Sequence, residues 1–404
     1  MAPVTASFLC YTSRAFTVLT RFKVQMAIPA SAYQNQVSGR ATREGTHKYA
    51  ARFAGRAAAG HFRETPSGLF LSSIGIGTYL GEPDTRFDKG YSDSIVAAVE
   101  GGFNLIDSAI NYRFQRSERS VGAALRHLIA KGFSRSELVL CTKAGFLTPD
   151  GDMPDDANEY FAREFVEPGV FQAEEIAQGC HCMAPRYLAD QLERSRRNFG
   201  VECIDVFYLH NPETQLAEVS PEEFRKRIRD AFAFLETEVA SGKIGAYGMA
   251  TWNGFREDPK SPGYLPLAEM VSLAREVTGA DHHFRFVQLP FNLAMPEALT
   301  RANQTVDGKT MAMVQAGRAL GITLVASAAL LQGQLARNLP DYVREVLGLK
   351  TNAELALQFT RSAPGITTAL VGMSSLDHVK ANLSLVGIEP APRDQFLKLF
   401  QPRS

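Results

Sequence analysis

Short apolar runs recur along this chain, and each is followed after a polar break by a longer segment whose apolar residues are spaced as on one face of a helix. The runs near 73–77, 104–108, 138–143, 204–210, 245–250, 286–291, 323–328 and 368–372 read as strands. The segments near 92–101, 117–131, 185–199, 221–240, 264–277, 309–320, 352–362 and 375–384 read as the helices between them. Strict alternation predicts a parallel sheet, and eight such pairs predict a closed α/β (β/α)8 TIM barrel. An open nucleotide-binding sheet would carry G-x-G-x-x-G after its first strand, whereas Gly75-Ile-Gly77-Thr-Tyr-Leu has no third glycine there. Local signals agree. Ser220-Pro221-Glu-Glu is a helix start, Ser117 before Glu118 is another, and Gly242 is placed to stop the helix that Ser220 opens.

Two stretches fall outside the repeat. Residues 1–65 form a basic N-terminal extension ahead of a barrel over 66–404; its first 63 residues carry nine Lys or Arg against one acid, Glu44. Residues 1–25 hold Arg and hydroxyls but no acid, the composition of an organelle transit peptide, and Met26 offers the alternative of a later start. The expected compartment is the cytoplasm, or the mitochondrion if residues 1–25 are a transit peptide. Residues 49–62 either form a short basic helix or stay loose. The second stretch, 145–184, is too long for an ordinary connection between the third strand and its helix. It carries nine acids and one base, Arg163. Either it is a substrate lid with Phe161, Phe165 and Phe171 lining an apolar cleft, or it is a solvated excursion pinned by those rings.

Composition narrows the function. Apolar residues make up 45% of the 404, enough for a large core, and the formal net charge of zero argues against a general nucleic-acid binder. No apolar run approaches the length that crosses a membrane. Five cysteines, an odd number without a regular framework, fit a reducing compartment. Cys180-His181-Cys182 is spaced C-x-C with no second ligand pair following, so no metal is expected.

The chemistry sits at the ends of the strands. Asp107, Lys143 and His210 each close an apolar run, and Tyr112 lies in the loop after Asp107. Neighbouring parallel strands are roughly 5 Å apart, so these residues would share one rim. An ammonium beside a phenol lowers a pKa that is otherwise about 10, giving a proton donor suited to a carbonyl under reduction.

Asp107-Ser-Ala-Ile-Asn-Tyr112, Ser117-Glu118-Arg-Ser-Val-Gly122, Thr142-Lys143 and Leu209-His210, in this order, resemble the tetrad framework of the aldo-keto reductases. Gly75-Ile-Gly77-Thr78, Gly242-Lys-Ile-Gly245, Val287-Gln288-Leu-Pro-Phe-Asn292 and Leu331-Gln-Gly333-Gln-Leu335 resemble further landmarks, so the likeness runs over about 68–390. It implies hydride transfer between a nicotinamide and a small-molecule carbonyl or alcohol. Tyr112 would be the general acid, Lys143 would lower its pKa, Asp107 would hold Lys143, and His210 would bond the carbonyl oxygen or share the proton.

The resemblance also implies a cofactor groove from Gly77, Thr78 and Tyr79 through Thr251, Gln288 and Ser327 to Ser374, Ser375, His378 and Asn382. Several of these positions depart from the family's habit. Ala250-Thr251 stands where a Ser-Asn pair commonly binds the nicotinamide amide. Ser327 stands where an aromatic ring commonly stacks, with Trp252 and Tyr79 as nearby substitutes. His378 stands where an Arg often holds the 2′-phosphate, so NADP is expected with NAD possible. Arg113 and Arg116 are additions that either clasp an anionic substrate or pair with the acidic insertion. The rival reading is a nucleotide-binding regulatory or redox-sensing protein on the same scaffold with little turnover, since a fold alone does not fix function.

Overall fold

The computed structural model describes residues 36–401. Eight parallel strands close into a barrel in chain order: β1 Ile74–Gly77, β2 Leu105–Asp107, β3 Val139–Ala144, β4 Ile204–His210, β5 Ile244–Ala250, β6 Phe284–Pro290, β7 Thr323–Ser327 and β8 Ile366–Gly372. The seam is the β8–β1 pair, with Gly372 opposite Gly77. The barrel helices are α1 Thr85–Gly101, α2 Arg116–Ala130, α3 Pro185–Phe199, α4 Pro221–Ala240, α5 Leu267–Thr278, α6 Met313–Ala319, α7 Asn352–Ser362 and α8 Leu376–Leu383. All eight expected strands are present, and α3 and α4 have the expected limits. Ser220 caps α4 by accepting from the Glu223 N–H at 3.2 Å, and Gly242 follows its end at φ +77°.

The two-residue period of each strand sorts its side chains between two cores. Ile74, Ile76, Ile106, Leu140, Phe207 and Leu209 face the helices. Leu105, Val139, Cys141, Val206, Tyr208, Phe286, Val325 and Leu370 fill the barrel interior. The same alternation turns Asp107, Lys143 and His210 inward, where the interior stack runs out at the C-terminal rim. Gly75 is required inside, because a Cβ there would lie 2.9 Å from both Leu370 and Thr368 side chains.

Several elements were not legible. A hairpin of Phe62–Glu64 and Phe70–Ser72 precedes β1, and its Leu71 joins the interior cluster and closes the N-terminal end of the barrel. Residues 49–62, left open between a short helix and a loose segment, only overlap the end of a helix that spans Arg43–Ala51 and is capped by Thr42. It is docked: Tyr49 is fully buried, its hydroxyl donates to the Val99 carbonyl at 2.6 Å, and Arg52 pairs with the buried Glu137 at 2.9 Å. The helix expected at 309–320 begins only at Met313. Lys309–Ala312 pairs with Ala302–Val306 through Asp307-Gly308, both at positive φ, the Asp-Gly hairpin signal that helical spacing had masked. Ser117 does not start α2; the helix begins at Arg116, and the Ser117 hydroxyl donates to the Thr78 carbonyl at 2.8 Å. The expectations for residues 1–25 and Met26 lie outside the described residues.

A tight contact tests the docking of the N-terminal helix. A Cβ at Gly45 would sit 2.2 Å from the Ser136 carbonyl oxygen, a backbone atom that cannot swing away. Gly45→Ala, helpful in a free helix, is expected to lower unfolding stability by about 1–3 kcal/mol. Urea unfolding reads this, and an unchanged midpoint would mean the helix packs elsewhere.

Candidate active site

The end of β2 presents Asp107 and the end of β3 presents Lys143, both within 3% of full burial. Lys143 Nζ donates to Asp107 Oδ2 at 2.5 Å, to the Ser108 carbonyl at 2.7 Å and to the Tyr112 hydroxyl at 3.4 Å. All three ammonium hydrogens are thereby directed. The other carboxylate oxygen of Asp107 accepts from Gln288 Nε2 at 2.8 Å, and Thr78 Oγ1 donates to the Asp107 carbonyl at 3.1 Å. Glu118 ties α2 to the rim, accepting from Thr142 Oγ1 at 2.6 Å and Asn198 Nδ2 at 2.8 Å. The His210 ring meets the Tyr112 ring edge-on at 5.9 Å, and Tyr79 meets Tyr112 from another side at 4.9 Å. The four strand-end residues singled out in the sequence therefore converge.

The electrostatics differ from the sequence expectation in one respect. Burial raises the Tyr112 phenol; Lys143 pulls it back, and the net shift is upward. Desolvation of the phenolate thus outweighs the ammonium, and the hydroxyl is held protonated. Burial works against the Lys143 charge, but Asp107 and Tyr112 outweigh it and leave the ammonium above its ordinary value. Burial, with Lys143 and His181 adding to it, drives His210 well below the ordinary imidazole value. The site near neutrality is a cation, its carboxylate, a protonated phenol and a neutral imidazole.

A cavity of about 430 Å³ opens on this rim. Its lining includes Gly77, Thr78, Tyr79, Tyr112, His210, Thr251, Gln288, Ser327, His378 and Asn382, so it runs from the tetrad to α8. Ser374 and Ser375 do not line it. The Ser375 hydroxyl is taken up as the cap of α8, accepting from the His378 N–H. Gln288 is committed through its amide nitrogen to Asp107, which couples the cavity wall to the tetrad. Thr251 Oγ1 is buried and has no hydrogen-bond partner among the described residues. Trp252, also in the lining, is fixed by Glu213, whose Oε1 accepts from the Trp252 N–H at 2.8 Å and the Asn253 N–H at 3.1 Å.

One expectation is corrected, and one pair of alternatives is decided. Arg113 and Arg116 neither face the cavity nor meet the insertion; both pair with Asp88 of α1, at 2.7 and 2.6 Å. Arg113 is further held by the hydroxyls of Ser117 and Ser120. Phe161, Phe165 and Phe171 do not line the cleft. They form their own buried cluster with Cys182 and Tyr187, the pinned arrangement and not a lid. What the sequence missed is Phe146, whose ring lies edge-on to His210 at 5.2 Å. It follows Lys143 by three positions, and no spacing rule distinguishes it from the other phenylalanines.

A protein-family model described as the aldo/keto reductase family matches residues 73–341. A Schizosaccharomyces pombe protein provisionally named as a voltage-gated potassium channel subunit beta is 22% identical, over 79% of this chain and 86% of its own. An NADH-specific methylglyoxal reductase of Escherichia coli is 28% identical over 45% of this chain and 49% of its own length. The crystal structure of a Klebsiella pneumoniae aldo/keto reductase in complex with NADP and acetate superposes with a TM-score of 0.55 at 18% identity, covering 84% of this chain and 94% of that one. At that identity the superposition carries the fold alone.

The strand-end histidines make stability depend on pH. Burial lowers His181 to about 4 from 6.5, and His210 is lowered well below its ordinary value. As pH falls below about 6.5 the unfolded imidazoles take up protons that the folded ones refuse. The unfolded state then binds more protons, so stability is lost as pH falls from 6.5 toward 4, by up to about 1.4 kcal/mol per pH unit for each group. His181→Gln, which cannot titrate, is expected to show a shallower loss across that window in urea unfolding. Equal slopes in both proteins would mean that the folded His181 is charged.

Proposed function

The chain belongs to the aldo/keto reductase family, and from that premise we propose that it is an oxidoreductase that reduces an aldehyde or ketone to the alcohol, or runs the reverse, with NADP(H). The observation that carries this reading is the buried Lys143 ammonium held between Asp107 and the Tyr112 hydroxyl, both of which line the cavity. The nicotinamide, when bound, supplies the hydride. Tyr112 supplies the proton to the carbonyl oxygen, and Lys143, kept charged by Asp107, steadies the phenolate left behind. His210, neutral and facing the cavity, offers a hydrogen bond to the same oxygen.

The residues present fit a nicotinamide dinucleotide. The unpartnered Thr251 hydroxyl suits the carboxamide, and the cavity reaches His378 and Asn382 on α8, where a phosphate end would lie. The NADP complex of the Klebsiella relative supports the cofactor class, and the NADH-specific reductase keeps NAD as the alternative. Cytoplasmic residence is part of the same reading. It is supported by the buried thiols of Cys141, Cys182 and Cys203, none of them in a disulfide among the described residues. No helix among the described residues is long and apolar enough to cross a membrane.

Among the described residues no Lys or Arg lines the cavity, and its mouth carries the exposed Tyr79 and Leu80. At the Tyr112 end of the cavity, away from the start of α8 where a dinucleotide phosphate would lie, a carboxylate or phosphate on the substrate would find no cation, so the substrate is a neutral carbonyl compound with an apolar flank. NADPH and NADH oxidation against neutral aromatic and aliphatic aldehydes, keto acids and sugar phosphates tests this. Preference for the charged compounds would overturn the substrate class. Tight nucleotide binding with no turnover of any compound would favour the sensor reading, to which the channel-subunit name of one relative and Ala250 in the amide pocket lend support.

Tyr112→Phe is expected to bind NADPH as the parent does and to lose turnover by about 10²–10⁴-fold, the scale of general acid catalysis. Turnover near the parent's would mean that the proton comes from elsewhere. His378→Arg would add a permanent, bidentate cation beside α8 and is expected to raise preference for NADPH over NADH at pH 8 by about 1–2 kcal/mol, roughly ten-fold. Dissociation constants from fluorescence titration read it, and an unmoved ratio would place the 2′-phosphate away from His378.

A further inference from the structure

The insertion 145–184 returns to the barrel at His181, and there it meets the catalytic strand. His181 Nε2 lies 2.7 Å from the carbonyl oxygen of His210. A ring nitrogen facing a carbonyl must carry the hydrogen, so Nε2 donates and Nδ1 is left as the acceptor. Gln215 Nε2 donates to that Nδ1 at 2.8 Å and to the His181 carbonyl at 3.0 Å. Arg227 of α4 donates to Gln215 Oε1 at 2.5 Å, which fixes the amide and with it the tautomer of the imidazole. His181 and Gln215 are wholly buried. Both ring nitrogens of His181 are engaged, which leaves none for a metal.

This chain answers a local need. The β3–β4 ladder ends at the Ala144–Leu209 pair, one residue short of His210, so the His210 carbonyl outlasts its backbone partners on that side. The imidazole takes the missing place. Gly145 leaves room for it, since a Cβ there would lie 2.6 Å from His181 Nε2 and 2.7 Å from the His210 oxygen. Phe146 stands between the two imidazoles, edge-on to His181 at 5.0 Å and to His210 at 5.2 Å. The His210 ring needs such support, because its buried Nδ1 has no hydrogen-bond partner among the described residues to orient it.

We propose that His181 is a positioning residue for His210, and that through it the insertion belongs to the catalytic apparatus. The inference rests on the reading of His210 as the partner of the substrate carbonyl. It assigns the insertion a purpose that its own aromatic cluster and acidic surface do not.

The test uses the full chain with His181→Leu, His181→Gln and Gln215→Met, each in the parent and in a His210→Ala background. His181→Leu is expected to lower kcat by roughly 10- to 100-fold, the cost of a misplaced catalytic group, with the Kd for NADPH held within about two-fold. His181→Gln keeps a donor for the same carbonyl and should recover most of the loss. In the His210→Ala background the His181→Leu loss should vanish, because a residue acting through another has nothing to position once that residue is gone. Losses that add across the two sites, or a folded His181→Leu with the parent's kcat, would overturn the proposal. Should His181→Leu fail to fold, Gln215→Met frees the tautomer while keeping the buried ring. It is expected to give a smaller loss that likewise disappears without His210, and a loss that persists would count against the proposal. A readout without turnover separates this inference from the carbonyl-reduction reading. The imidazole ¹⁵N resonances of His210 should move in His181→Leu and hold in His181→Gln, even if no tested carbonyl is reduced; unmoved resonances in both would overturn it.

Discussion

A charged lysine sealed inside a barrel is the constraint on which the rest of the site depends. Lys143 and Asp107 are removed from water, and the attraction between them offsets that cost only if every remaining hydrogen and lone pair is satisfied. The surroundings meet the condition: the Ser108 carbonyl and Tyr112 hydroxyl take the other ammonium hydrogens, and Gln288 caps the free carboxylate oxygen. Removing one partner of such a pair typically costs about 3–5 kcal/mol, because a lone charge is left behind. The chemistry therefore draws on stability supplied elsewhere in the barrel. The ion pair beside the Tyr112 hydroxyl is also the one that the core must hold in place.

The two ends of the barrel divide these tasks. At the N-terminal end Leu71 plugs the interior, and Asp205 gathers Arg135, the Leu140 N–H and the Ala41 N–H at 2.6–2.7 Å. The N-terminal helix joins that end through Tyr49 and Arg52, so part of the extension is built into the barrel. At the C-terminal end the interior stack gives way to Asp107, Lys143 and His210, and the cavity opens above them. Polar groups are affordable there because the apolar layers beneath already close the core.

The insertion connects the two tasks. Its phenylalanines form a small core of their own against Tyr187 of α3, which anchors it without filling the cleft. With that anchor in place, His181 reaches the end of β4 in one orientation. The acidic surface that dominates its composition is solvated or paired locally, as with Glu164 and Arg194 or Glu175 and Arg186. Of the two readings left open by the sequence, the packed phenylalanines match the pinned excursion, and the buried minority of its residues, His181 among them, makes the contact with β4.

By itself the sequence determined the eight strands, the order of the barrel and the four residues at its rim. Those features rest on short-range rules: a period of two within each strand, a helical period after it, and a polar residue closing the apolar runs that carry Asp107, Lys143 and His210. Asp107, Lys143 and His210 are legible because a strand's alternation decides which way they point. Three-dimensional packing alone decided the partners of side chains far apart in the chain. Arg113 and Arg116 turned to Asp88 and Gln288 to Asp107, and neither choice has a spacing to betray it. The sign of the Tyr112 shift was hidden for the same reason. The nearby Lys143 was readable from sequence, but the depth of burial that outweighs it is a property of the closed barrel. His181 is the extreme case: its place beside His210 follows from a ladder that ends one residue early and a glycine that leaves room, both facts of the folded chain.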